Sequence, residues 1–166
     1  MTVLGAGFRY DCEIIRPNGE IELSTDFNLI PQVGIDHLAG LLRGDGTAPN
    51  SSWFLGVFSG NYVPTSGVTA ADLPSVVGES TVYSAATRPV WQNSYDGVST
   101  IDNIASKAVF TFTAATTLYG AFIVSNSVKA GNTGLLLSIA RFNTPKVMDI
   151  GTQFSVIAGI TLVPTS

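Results

Sequence analysis

From Gln153 to Leu162 apolar residues fall at every second position. Phe154, Val156, Ala158, Ile160 and Leu162 share one face, and Gln153, Ser155, Ile157, Gly159 and Thr161 share the other. A period of two is that of a half-buried antiparallel strand. This segment closes a stretch, residues 107–163, that reads as several strands in quick succession. Lys107 to Thr113 and Leu118 to Val124 are β-rich runs joined by a short polar link, which favours a hairpin over a crossover. Leu135 to Phe142 is a continuous apolar run of strand length, the pattern of a strand buried on both faces.

The same alternation opens the chain. Phe8, Tyr10, Cys12 and Ile14 share a face, with Arg9, Asp11 and Glu13 on the other. Pro17-Asn18-Gly19 supplies a turn, and Ile21 and Leu23 return on one side of a second strand. Asp11, Glu13, Glu20 and Glu22 then read as a solvated outer face and not as a carboxylate site. The high charge of this hairpin also suits an arm standing apart from the body. Ile35, Leu38, Leu41 and Leu42 recur at helical spacing, and Gly44-Asp45-Gly46 stops the run, so one short amphipathic helix is expected. Its polar side carries His37, the single histidine, beside Asp36; neighbours in sequence point different ways on a helix, so no catalytic pair is expected.

Trp53 to Phe58 reads as a buried strand. Residues 59–80 are loop-like, with one helical turn at Thr69 to Leu73 capped by Thr69, and their length suggests a contact surface. Thr81 to Ala85 reads as another strand, Pro89 argues against a central place in a sheet, and residues 99–103 read as turn material. The expected fold is all-β: a β-sandwich or jelly roll of about eight strands with an N-terminal hairpin and one short helix. An up-and-down barrel fits the uneven spacing less well. A single domain is expected over residues 1–166, divided into hairpin or arm (1–31), short helix (32–46) and sandwich body (47–166).

Charge narrows the function classes. Only 12% of residues are charged, about half the usual share, and the net charge is −4. The eight basic residues are scattered singly, whereas a phosphate-tracking surface needs several together, so no direct nucleic-acid binding is expected. One cysteine, Cys12, permits neither an intrachain disulfide nor a zinc site of cysteine pairs. No signal peptide and no membrane span are expected, since the first residues lack a basic start and no long apolar run exists. There is no phosphate loop, nucleophile elbow or histidine pair, so no enzyme, cofactor or metal is expected. The low charge suits either a surface partly covered by a partner or a Ser/Thr-rich β protein kept soluble by its hydroxyls.

Three segments together carry a resemblance: Trp53-Phe54-Leu55-Gly56-Val57-Phe58, residues 83–91, and Leu135 to Phe142 continued by Asn143-Thr144-Pro145-Lys146-Val147. They resemble small virion structural proteins of tailed bacteriophages, over residues 50–163, and most resemble jelly-roll cement or decoration proteins of the head. The resemblance implies a stiff adhesive module, located in the virion and assembled in the host cytoplasm. Its implied partners are the major capsid protein and further copies of itself, as homodimer or homotrimer. Trp91 and Tyr95, in a polar glycine-containing segment, either anchor a partner or pack against their own sheet, and with Tyr62, in the long loop, they are the candidate partner contacts. Arg141 and Lys146, flanking Phe142 and Pro145, either tie strand ends together or contact the shell. The alternative is a tail or fibre component that binds a host receptor or glycan through Tyr62, Trp91 and Tyr95.

Overall fold

The computed structural model describes residues 7–162, so the first residues, on which the expectation of no signal peptide rests, and Val163, the end of the matched segment, lie outside it. In chain order the elements are β1 (Phe8–Ile15), β2 (Ile21–Phe27), α1 (Gln32–Arg43), β3 (Phe54–Phe58), β4 (Ser94–Tyr95), β5 (Thr100–Asp102), β6 (Ala108–Thr111), β7 (Thr116–Val124), β8 (Leu136–Met148) and β9 (Gln153–Thr161). The fold is an all-β sandwich. Its six-stranded sheet runs β2-β1-β9-β5-β4, with β6 also paired to β9, and its three-stranded sheet runs β3-β7-β8. β9 is the axis of the larger sheet: β1 pairs along its whole length on one side, while β6 and β5 share the other side end to end.

That pairing corrects the arm. All eight residues of β1 are in register with β9, from Phe8 opposite Ile160 to Ile15 opposite Gln153, so the hairpin belongs to the sandwich. The alternating faces read for β1 and β9 do enter the core. Phe8, Tyr10, Cys12, Ile14, Phe154, Val156 and Ala158 meet Leu55, Val57, Ala121 and Ile123 of the facing sheet. The small sheet is buried on both faces. Its outer side, with Phe58, Phe122, Val124 and Ile139, packs under Val68, Ala70, Leu73 and Val77. Residues 59–80 are therefore a cover for the small sheet, and not the free contact loop expected from their length. Their turn at Ala70–Asp72 begins at Thr69 as read, and the Asp72 carboxylate accepts both the Thr69 backbone N–H (2.8 Å) and the Thr69 hydroxyl (2.9 Å).

Other departures have local causes. Residues 81–85 form no strand; Tyr83 makes one isolated bridge to Phe112. β8 continues past Phe142 to Met148 because its register with β7 slips between Leu118 and Gly120. The slip leaves Asn143, Thr144 and Pro145 exposed, which lets a residue without an N–H stay in the strand. In α1 the spacing was right and the face was right only in part. Leu38 packs on the core, Ile35 and Leu42 point to solvent, and Gly34 and Gly40 are buried. A Cβ on Gly34 would lie 2.7 Å from the Leu137 carbonyl oxygen, so the helix rests on β8 by its backbone.

Residues 99–102, read as turn, complete the β4–β5 hairpin through Asp96. Its carboxylate accepts the N–H groups of Thr100 (3.0 Å), Val98 (2.8 Å) and Ser99 (2.8 Å), which hold the carboxyl below its ordinary 3.8. A depressed folded value stabilises above the unfolded value and loses that stabilisation as pH falls through the folded one. The backbone amide shifts of Val98, Ser99 and Thr100 are therefore expected to titrate together, with a midpoint below 3.8. The Asp96→Asn variant should show no such titration.

Candidate functional site

The placement of β2 follows from its turn. Pro17, Asn18 and Gly19 (φ +85°) form a three-residue connection, with the Arg16 N–H donating to the Glu20 carbonyl. An odd loop pairs even residues with even, so Ile14 lies opposite Glu22, Cys12 opposite Ser24 and Tyr10 opposite Asp26. Ser24 and Asp26 thus enter on the core side. Ile21, Leu23 and Phe27 are thrown outward, at 60%, 72% and 72% exposure. This corrects the charged outer face expected for the hairpin, whose outer side is mixed. Because successive residues alternate in bonding direction, Ile21, Leu23, Thr25 and Phe27 also carry the edge's outward N–H and C=O groups. These have no backbone partner among the described residues.

Beside this apolar row runs an open groove of about 470 Å³ lined by Arg9, Asp11, Glu13, Leu23, Lys107 and Ile157. Its charges are balanced in place: Arg9 bonds Asp11 at 3.0 Å, Lys107 lies 3.5 Å from Glu13, and the Thr25 hydroxyl donates to Asp11 at 2.6 Å. An apolar row with a polar margin and an open strand edge is equipped to adhere. Full burial of each of its three large side chains is worth about 1.5–3 kcal/mol. The odd loop length was the available signal for this row, and the charge pattern masked it.

The residues singled out from sequence do not gather into one site. Tyr95 is exposed, at 59%, on the far edge strand β4. Trp91 is corrected from an exposed anchor: it is buried, its indole N–H donates 2.9 Å to the Ala158 carbonyl, and its ring meets Phe8 edge-on. Lys146 is likewise removed from the surface. It is buried 3.8 Å from Asp26, whose other oxygen accepts the Asn143 N–H at 2.7 Å, so this pair ties β8 to β2. Arg141 also ties strands and loops. It donates to the Tyr62 carbonyl at 2.7 Å and to the Asn61 side chain at 2.6 Å, and stands over the Tyr119 ring. Tyr62 itself is half-buried against the covered face of the small sheet.

A larger buried charge cluster escaped the sequence reading. Arg88 and Glu79 have fully buried side chains and form a bidentate pair at 2.8 and 2.6 Å. Arg88 donates further to the carbonyls of Asn126 (2.8 Å) and Gly131 (3.0 Å), and Glu79 accepts the Ala130 N–H (3.0 Å). Lys129 donates to the Tyr83 carbonyl at 2.7 Å and covers its ring. The cluster is fully engaged in pinning residues 79–88 to 126–131. Burial also pushes the Cys12 thiol up to about 12, so it is not a thiolate at neutral pH. Among the described residues His37 has no carboxylate partner, since Asp36 accepts from Gln32 at 2.8 Å while His37 faces Asn50 and Trp53.

Among the described residues no three His, Cys, Asp or Glu side chains come together as a metal site, and no helix is long and apolar enough to cross a membrane. Fold and surface together define an all-β sandwich with an open, apolar edge strand. No protein-family model matches the sequence, and no curated protein matches it.

Proposed function

We propose that the chain is a structural virion protein of a tailed bacteriophage, a cement or decoration protein that stabilises the head by binding the major capsid protein. The observation that carries this reading is the outer row of β2, where Ile21, Leu23 and Phe27 stand exposed along a strand edge that is unpaired among the described residues. Large exposed apolar side chains on an open edge are uncommon in proteins that remain alone in solution. The resemblance of residues 50–163 to phage virion proteins supplies the biological setting. In this reading β2 meets the capsid shell or a neighbouring copy in a homodimer or homotrimer, and the protein resides in the virion. Electron micrographs of particles with and without the protein test it: extra density on the head is expected, and no head density overturns it.

A surface variant gives the local test. Leu23→Lys is expected to weaken binding to purified heads at least about tenfold, equivalent to about 1.4 kcal/mol. Its unfolding midpoint should stay near the wild type, because the side chain makes no core contact. Equal binding by variant and wild type would remove β2 from the interface. The second reading, a tail or fibre component binding a host receptor or glycan, draws on the exposed Tyr95. Adsorption of the purified protein to host cells, lost in Tyr95→Ala, would favour it.

A further inference from the structure

We infer that the cleft beneath α1 is a binding site for a neutral saccharide. Two cavities, of about 240 and 420 Å³, meet along Asn50, Trp53, Trp91 and Asn93. The smaller is apolar, lined by Trp53 and Trp91 with Leu38, Leu41, Ile101 and Ile160. The larger is polar, lined by Asn50, Ser51, Ser52, Gln92 and Asn93 beside the two tryptophans. Neither contains an Asp, Glu, Lys or Arg in its lining.

A ligand matching this cleft has an apolar face and a rim of hydroxyl groups and carries no charge. A sugar ring has that shape: its C–H face lies on indole and aliphatic carbon, and its hydroxyls meet amides that both donate and accept. A charged ligand would enter a cleft with no counter-charge, and a wholly apolar one would strip water from the amide rim without replacing its hydrogen bonds. The floor is held in place. Trp91 is fixed by its indole bond to the Ala158 carbonyl and by its backbone N–H, which donates 2.8 Å to the Trp53 carbonyl. His37 stands edge-on to Trp53, 5.8 Å between ring centres, and 3.4 Å from the Asn50 amide nitrogen, placing one further polar group at the mouth. Sequence reasoning missed the cleft because its lining comes from well-separated segments, residues 37–41, 49–53 and 90–93, with Ile101 and Ile160 from two further strands. The inference rests on the cleft alone and holds for a head or a tail protein.

Both tryptophans of the chain line this cleft, so intrinsic emission reports on it without a label. The protein is titrated with glucose, galactose, mannose and N-acetylglucosamine, and with dextran to tell a free ring from a unit within a chain. A saturable change in tryptophan emission with at least one of them is expected. The rim variant Asn50→Ala/Gln92→Ala should weaken it about tenfold or more while the unfolding midpoint stays put. Emission that fails to saturate with every probe overturns the inference, as does a saturable change that the rim variant leaves intact. Either failure would leave head binding through β2 unaffected.

Discussion

Replacing Arg88 with Met is expected to lower the free energy of unfolding by about 3–5 kcal/mol, a large part of a single domain's stability. The loss does not measure the worth of an ion pair. It reflects what remains: a Glu79 carboxylate with no exposed surface, stripped of its bidentate partner, and the carbonyls of Asn126 and Gly131 without their donor. Leaving a charge buried and unpaired costs more than the pair gained. The Arg88→Lys variant should recover only part of the loss, because one ammonium cannot reproduce the fork that engages both Glu79 oxygens at 2.8 and 2.6 Å. Removing both charges, as Glu79→Leu/Arg88→Met, should cost less than Arg88→Met alone, since only neutral backbone groups are then orphaned. Denaturant unfolding of the wild type, Glu79→Leu, Arg88→Met and the double variant closes the cycle, and hydrogen exchange at residues 126–131 should rise in each variant. A loss below about 1 kcal/mol for Arg88→Met would mean that water replaces the guanidinium.

How much of this was readable depends on how each contact is encoded. The faces of β1 and β9 were readable because one side of each is buried along most of its length, so their alternation is nearly complete. The small sheet was readable as buried strands because both of its faces are covered, which turns alternation into continuous apolar runs. The face of β2 was not. Both of its faces carry mixed residues, and the deciding fact is the parity of a three-residue turn. Part of the contact face of α1 was hidden for another reason: Gly34 and Gly40 bring the backbone close and have no side chain for a hydrophobic pattern to detect. Arg88 looked like a lone cation before a proline. Its partners arrive from residues 79, 126 and 131, and only the folded chain joins them. The cleft beneath α1 is of the same kind. Sites assembled from loops of different strands leave no local spacing to read, whereas strands do.

The second large effect is expected on the covered face of the small sheet, where two glycines and two phenylalanines are paired crosswise. Gly56 lies opposite Phe122, and Phe58 lies opposite Gly120. Each ring spreads over the glycine of the other strand, filling space that a side chain there would occupy. A Cβ on Gly56 would fall within 2.8 Å of three Phe122 ring carbons. One on Gly120 would meet the Phe58 ring and also the Ala140 carbonyl oxygen, at 2.1 Å. Phe122→Ala is expected to cost about 3–5 kcal/mol, as for other buried aromatic truncations. Gly56→Ala and Gly120→Ala should each cost about 1–3 kcal/mol through overpacking, with Gly120→Ala the worse. The two should also respond differently to a compensating change. Trimming the ring, as Gly56→Ala/Phe122→Leu, removes the atoms that clash and should cost less than the two single losses added together. Gly120→Ala/Phe58→Leu should show little such rescue, because the Ala140 carbonyl belongs to the β8 backbone and cannot be trimmed. Equal rescue in both pairs, read from denaturation midpoints, would show that β8 yields as readily as a ring turns.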